Sequence, residues 1–310
     1  MARPKVSIIG AGAVGTATAH WLAPKGIADI VLTDIIEGLP EGKALDIQQA
    51  GPIAAFDVRL AGSSKGYDDT AGSAVVVITA GVPRKPGMTR EQLIDTNAGI
   101  LRQVIDQVVP RSRDAVFIIL TNPLDAMTYL AYKVSGLPRA RVIGQSGALD
   151  TTRFRTFLAM ELGVSVQDVD ALVIGAHTDK DMVPLASLAN VRGIPVRTLL
   201  PPERLEAVVA RTRRGGAEIT ELLKMSGFTA AGAALMEMIE AVLLDRKRVI
   251  PCCVYLDGEY DERDVAVGVP VVVGAGGMER ILEAPLSDVE RHAFNASVAA
   301  VREMLAALKL

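Results

Sequence analysis

The first half of the chain alternates short, mostly apolar runs with longer stretches whose apolar residues recur at helical spacing. Residues 6–9 read as a strand, and 14–23 as a helix that closes near Gly26. Strands follow at 30–33 and 58–61. The runs 75–80 and 116–121 have the character of fully buried strands, with a helix over about 90–109 between them, and 142–144 completes the series. Strands without polar alternation are buried on both faces, and helical connections make them parallel. The pattern therefore predicts an α/β unit, a doubly wound parallel sheet, over residues 1–145.

The second half has a different rhythm. A helix is predicted over 151–162, a strand over 171–174, and a long helix over 202–225 that Gly215 and Gly216 interrupt. Apolar strands within 249–273 are joined by a turn at Asp257-Gly258, which signals antiparallel pairing. Ser287 stands three residues before Glu290, the spacing of a capping box, and the helix it opens carries Val298, Val301, Leu305 and Leu308 on one stripe. Residues 146–310 thus read as an α+β domain with antiparallel strands.

Composition narrows the function classes. A chain of 310 residues, half of them hydrophobic, can bury two cores. Its 33 basic and 36 acidic residues give a net charge of −3, without the basic excess that nucleic acid or an anionic membrane demands. The longest apolar runs, 74–78 and 115–120, fall far short of the roughly 20 residues of a membrane-spanning helix. No signal-peptide pattern precedes the first strand. The only cysteines, Cys252 and Cys253, are neighbours in an apolar run with no metal-ligand spacing. Buried reduced thiols, a cytoplasmic location and no metal are the expectations.

The strongest local signal is Gly10-Ala11-Gly12-Ala13-Val14-Gly15, a G-x-G-x-x-G run that leaves a strand and opens a helix. The first glycine permits the tight turn and the second a close approach to a pyrophosphate. The third lets helix and strand pack closely, with the helix N-terminus aimed at the phosphates. Asp34 follows Gly12 by 22 residues, at the end of the second strand, where a carboxylate binds both ribose hydroxyls. A 2′-phosphate would be repelled there, and Ile35, Ile36 and Glu37 supply no cation, so NAD is the expected cofactor. The parallel sheet is accordingly a Rossmann unit.

Hydride transfer from an alcohol needs a base with a pKa near the working pH, and the chain has three histidines. His20 lies inside the first helix beside Trp21, and His292 among charges on the last one. His177 follows the strand Leu172-Val173-Ile174, in a loop, where catalytic groups collect. Asp150 either caps the helix it opens or holds the imidazole in one tautomer and favours its charged form. Arg153 lies three residues on, on the same helix face, with a fork suited to a carboxylate. Between Gly81 and Arg90 runs a basic, Gly- and Pro-punctuated segment, either a solvated loop or a functional one. Thr89 and Gln92 have capping-box spacing, which puts Arg90 in a first helical turn against the helix dipole. Asn122, before Pro123, is either a turn residue or a polar contact at the carboxyl end of a strand.

Taken together, GAGAVG, VLTDI, TAGVPRKPGMTR, LTNPLDAMTYL, VIGQSGALDTTRFR and GVPVVVGAGG resemble the lactate/malate dehydrogenase family, most closely its lactate-dehydrogenase-like malate dehydrogenase branch, over nearly the whole chain. The resemblance implies that Arg84 binds the second carboxylate of malate or oxaloacetate, that Arg90 polarises the reacting carbonyl, and that Arg153 binds the first carboxylate. It implies proton exchange by His177 paired with Asp150. It further implies cofactor contacts at Asn97, Leu120, Thr121 and Asn122, with Asn122 also near the substrate, and a cytoplasmic homodimer or homotetramer. Other readings are a lactate or broader 2-hydroxyacid dehydrogenase, which Arg84 disfavours, and a catalytically silent NAD-binding protein. Two departures from the family pattern stand out: His177-Thr178-Asp179-Lys180-Asp181-Met182 carries an extra residue after the histidine, and the segment from Met225 to Ala234, which the resemblance places over the active site, is shortened and poor in aromatics.

Overall fold

The computed structural model describes residues 3–83 and 87–309. The first half contains β1 (Lys5–Ile9), α1 (Ala13–Leu22), β2 (Asp29–Thr33), α2 (Leu39–Ala54), β3 (Leu60–Ser63), β4 (Val75–Ile78), α3 (Arg90–Val108), β5 (Val116–Ile119), α4 (Leu124–Ser135) and β6 (Val142–Gly144). The second contains α5 (Gly147–Leu162), β7 (Val169–Asp170), β8 (Val173–Gly175), β9 (Met182–Pro184), β10 (Asn190–Val191), β11 (Ile194–Pro195), α6 (Val196–Leu199) and α7 (Pro202–Leu223). After these come α8 (Thr229–Leu243), β12 (Arg248–Asp257), β13 (Arg263–Gly274), β14 (Gly277–Ile281) and α9 (Asp288–Ala306).

The order β3-β2-β1-β4-β5-β6, all parallel, is the Rossmann doubly wound sheet. Every residue of β4 and β5 is buried, as a sheet covered by helices on both faces requires. Strand order reverses between β1 and β4, so the crevice for a ligand opens at their carboxyl ends, beside Gly10 and Thr79. The sheet does not stop at β6. Strand β12 pairs with it antiparallel, then β13, β8 and β9 follow, while β14 adds to β13. One rung crosses four of these strands: Gly144 opposite Cys253, Cys253 opposite Gly268, and Gly268 opposite Gly175. The largest apolar cluster accordingly runs from Val6 and Ile118 to Val267, Phe294 and Val301. A second cluster packs Phe154 and Leu158 of α5 against Val169, Val196 and Val208.

Three details differ from the sequence pattern. Helix α7 is continuous through Gly215 and Gly216. Each glycine costs about 1 kcal/mol against alanine in a helix, but Gly215 sits where a Cβ would come within 3.1 Å of Arg153 and 3.4 Å of Phe157, so the loss is traded for close packing on α5. Helix α5 begins at Gly147, so Asp150 lies in its first turn and Ser146 occupies the N-cap position. The third strand is displaced to Leu60–Ser63. The capping boxes at Thr89/Gln92 and Ser287/Glu290 form as their spacing predicts.

Helix α9 reaches the end of β8 through one buried bond, the Ala176 N–H donating to Ser297 Oγ at 2.7 Å. Ser297→Ala would leave that buried N–H unpaired, at a cost of roughly 1–3 kcal/mol. Urea unfolding should show a lower midpoint for the variant, and an unchanged midpoint would refute the anchoring role.

Candidate active site

The glycine loop is built by sterics. Gly10 has φ +108°, and a Cβ on it would lie 2.5 Å from Thr79 Oγ1; one on Gly15 would lie 1.9 Å from the Gly10 carbonyl oxygen. Gly12 is the N-cap of α1, without a side-chain cap, and a Cβ there would meet nothing within 4 Å. The first N–H groups of α1, over Ala13 and Val14, therefore face open space, with the helix dipole behind them. Asp34 closes the loop from β2: its Oδ2 accepts the Ala11 N–H at 2.7 Å and its Oδ1 the Ile36 N–H at 3.1 Å. Both oxygens keep a lone pair for hydroxyl donors. The unfilled cradle over Gly12 and the anionic Asp34 fit a dinucleotide pyrophosphate and an unphosphorylated ribose.

Asn97 is buried in α3 and ties the two sides of the crevice together. Its Oδ1 accepts the Val82 N–H at 2.8 Å, and its Nδ2 donates to the carbonyls of Val82 (3.1 Å) and Asn122 (2.7 Å). Thr121 is buried too, its hydroxyl donating to the Ala80 carbonyl at 2.7 Å, while Leu120 is half-buried and Asn122 exposed.

His177 leaves the end of β8 and meets Asp150 from the start of α5. Its Nδ1 lies 2.7 Å from Asp150 Oδ2, while Arg153 Nη1 donates to Asp150 Oδ1 at 2.9 Å. Asp150 is 1% exposed and the His177 side chain 16%, so the carboxylate is sealed and the imidazole keeps one open edge. Burial works against the charged imidazole, but the charge and hydrogen bond of Asp150 outweigh it and hold His177 above its ordinary value; Arg153 opposes this and Asp125 adds to it. Asp125 also accepts the His177 backbone N–H on its Oδ2 at 2.8 Å.

The open edge of His177 faces a cavity of about 450 Å³ that Arg90, Asn122, Asp125, Thr178 and Met304 also line. Arg90 stands at the first position of α3, behind the Thr89 cap. Arg153 joins the group through Asp150, its Nε buried without a partner among the described residues. Arg84 lies outside the described residues. The His177 loop, which the resemblance reads as one residue longer than the family pattern, forms a closed turn in which the Thr178 hydroxyl donates to Asp181 Oδ2 at 2.7 Å and the Asp181 N–H returns to Thr178 Oγ1 at 3.0 Å. His20 and His292 are both exposed on their helices, away from this cavity. Sequence reasoning missed Asp125 and Ser297. An acidic residue followed by the apolar Ala126 and Met127 was the one available hint for the former. Among the described residues no His, Cys, Asp and Glu cluster could hold a metal ion, and no helix is long and apolar enough to cross a membrane.

Residues 4–144 match the lactate/malate dehydrogenase NAD binding domain, and residues 147–309 the lactate/malate dehydrogenase alpha/beta C-terminal domain. The chain is 54% identical to the malate dehydrogenase of Roseiflexus sp. (strain RS-1) over 308 residues, 99% of each chain. It is 51% identical to that of Bacillus subtilis (strain 168) over 309 residues, 99% of this chain and 98% of the other. Among solved structures, the malate dehydrogenase of Picrophilus torridus in its apo form superposes with a TM-score of 0.95 at 45% identity, over 98% of this chain and 97% of that one. A lactate dehydrogenase from Cryptosporidium parvum, solved with lactic acid and its cofactor, superposes at 0.94 with 38% identity, over 99% and 98%.

Because the folded imidazole titrates above its ordinary value, its protonation favours the folded chain at pH values below that ordinary value. This contribution disappears as pH rises through the raised one. Asp150→Asn removes the larger support of the charged ring and leaves burial and Arg153, which favour the neutral form, opposed by the more weakly acting Asp125. The His177 midpoint should fall by about one unit or more when the ring resonances are followed by NMR against pH, and an unmoved midpoint would refute the account.

Proposed function

The chain belongs to the lactate/malate dehydrogenase family, and from that premise we propose that it catalyses reversible hydride transfer between malate and NAD, giving oxaloacetate and NADH. The observation that carries the reading is the His177–Asp150 pair turned toward a cavity that Arg90 and Asn122 share. NAD, when bound, supplies the hydride acceptor at its nicotinamide. Gly10, Ala11, Gly12, Ala13, Val14 and Gly15 cradle its pyrophosphate, and Asp34 takes the ribose hydroxyls. Asn97 holds the two crevice segments in place, and Leu120, Thr121 and Asn122 line the nicotinamide side.

In malate oxidation the neutral His177 ring takes the hydroxyl proton at Nε2, the nitrogen left free by Asp150. In the reverse direction the imidazolium returns it, and a raised His177 value keeps that proton available near neutral pH. Arg90 stabilises charge on the reacting oxygen. Arg153 has donors to spare beyond its bond to Asp150 and grips the carboxylate beside the reacting carbon. Arg84 takes the second carboxylate, the group that distinguishes malate from lactate.

Residues 1–145 form the NAD-binding unit and 146–310 the substrate unit in this proposal, and the protein works in the cytoplasm as a homodimer or homotetramer. Leu45 and Ile53, 60% and 93% exposed on α2, support burial against a second copy.

The test is NADH oxidation with oxaloacetate and with pyruvate. Oxaloacetate should give the larger kcat/KM; a larger value for pyruvate would refute the malate reading, and NADH binding by calorimetry with no turnover of any 2-oxoacid would favour a silent NAD-binding protein. Arg84→Gln should lower kcat/KM for oxaloacetate at least about thirtyfold, the equivalent of roughly 2 kcal/mol or more, and spare pyruvate. Equal losses would show that the residue does not read the second carboxylate.

A further inference from the structure

We propose that Asp125 is a positioning residue for His177: its buried carboxylate holds the backbone of the His177 loop, and its negative charge sets the pH at which the imidazole exchanges its proton. The proposal rests on the reading of His177 as the proton-exchanging group.

Asp125 lies in the first turn of α4, a place where carboxylates normally face solvent. Here it is 1% exposed. One oxygen accepts the His177 N–H at 2.8 Å. The other, Oδ1, is buried with no N–H or O–H donor among the described residues, and the Cys253 thiol of β12 beside the carboxyl is only a weak donor. An anion held this way is costly, and an amide would accept the same N–H at smaller cost. A backbone tether therefore does not explain the charge, whereas a nearby imidazole that must take up a proton does.

The groups around His177 make this specific. Asp150 and Arg153 face it from α5 with opposite signs, Arg90 shares its cavity from α3, and Asp179, Lys180 and Asp181 lie in its own loop. From helix α9 come Ser297 and Met304, both uncharged. Asp125 is thus a second buried carboxylate beside one imidazole, reaching it from the opposite half of the chain to Asp150. Burial raises the Asp125 carboxyl, the bond and charge of His177 lower it, and the balance leaves it at about 6. Each group acts on the other, so each midpoint depends on the partner's protonation state. While Asp125 is ionised it supports the imidazolium, and as pH falls through about 6 and the carboxyl takes up a proton that support is withdrawn.

Asp125→Asn keeps the size of the side chain and an oxygen for the His177 N–H, and removes only the charge. In the folded variant the His177 ring midpoint should fall by roughly half a unit to one unit, less than in Asp150→Asn. The acid limb of the malate-oxidation pH profile, which needs neutral His177, should move to lower pH by the same amount. With three histidines in the chain, the His177 ring resonances are identified by their loss in His177→Gln. An unmoved midpoint and an unmoved limb overturn the proposal. Should the variant fail to fold, the wild-type carboxyl carbon resonance of Asp125 decides: it should titrate near 6 with a step at the His177 midpoint, and a single step in the ordinary aspartate range overturns the proposal. If His177→Gln keeps full turnover, the reading of His177 fails, and the ring titration still reports whether the charge of Asp125 reaches it.

Discussion

A carboxylate sealed from water is expensive unless charge and hydrogen bonds compensate it on every side, and Asp150 is such a group at the point where the two halves of the chain meet. His177 and Arg153 each take one of its oxygens, and the N-terminal turn of α5 adds the favourable end of a helix dipole. That compensation requires two distant segments to arrive in register. Asp150 follows the end of β6 by six residues, and His177 follows the end of β8 by two. Between those strand ends lies the rung Gly144, Cys253, Gly268, Gly175, three strand spacings or roughly 14 Å across. The rung is crowded: a Cβ on Gly144 would meet Thr128 at 2.4 Å, and one on Gly268 the Gly175 carbonyl at 2.6 Å. Small residues at these crossing points let β12 and β13 join the parallel sheet closely enough for the ion pair to form.

The same compensation sets the chemistry. Of the groups facing the imidazole, burial and Arg153 favour the neutral ring, and Asp150 and Asp125 the charged one. The charged form gains on balance. Asp150 without Arg153 would raise the ring further, and Arg153 without Asp150 would favour its neutral form. Arg153 therefore has two parts in the proposed reaction, as a carboxylate ligand and as a restraint on the basicity of its neighbour.

How much of this could be read from the chain depends on how local each feature is. The glycine loop is a strand, a turn and a helix start within ten residues, and Asp34 lies one strand away, so residue type and spacing suffice. The residue types of the His177 site were also legible, but its geometry depends on strand pairings that no local pattern encodes. Asp150 read as a possible N-cap because nothing in the sequence shows that α5 starts at Gly147. Gly215 and Gly216 read as a break because helix propensity counts the cost of glycine and not the packing it allows against Arg153. Asp125 and Ser297 escaped notice because burial makes them important, and their bonds to the His177 segment span 52 and 121 residues.

The extra residue after His177 lies outside the set of bonds that fixes the ring. The Ala176 N–H is held by Ser297, the His177 N–H by Asp125 and the imidazole by Asp150, all at or before the histidine. Beyond it the chain closes on itself through Thr178 and Asp181, and at Met182 it is already paired with Gly175 in the sheet. An insertion between two fixed points can be absorbed by the loop between them when neither point has to move. The Thr178–Asp181 turn takes up the added length as a self-contained hydrogen-bonded unit, so the imidazole stays where the surrounding carboxylates hold it.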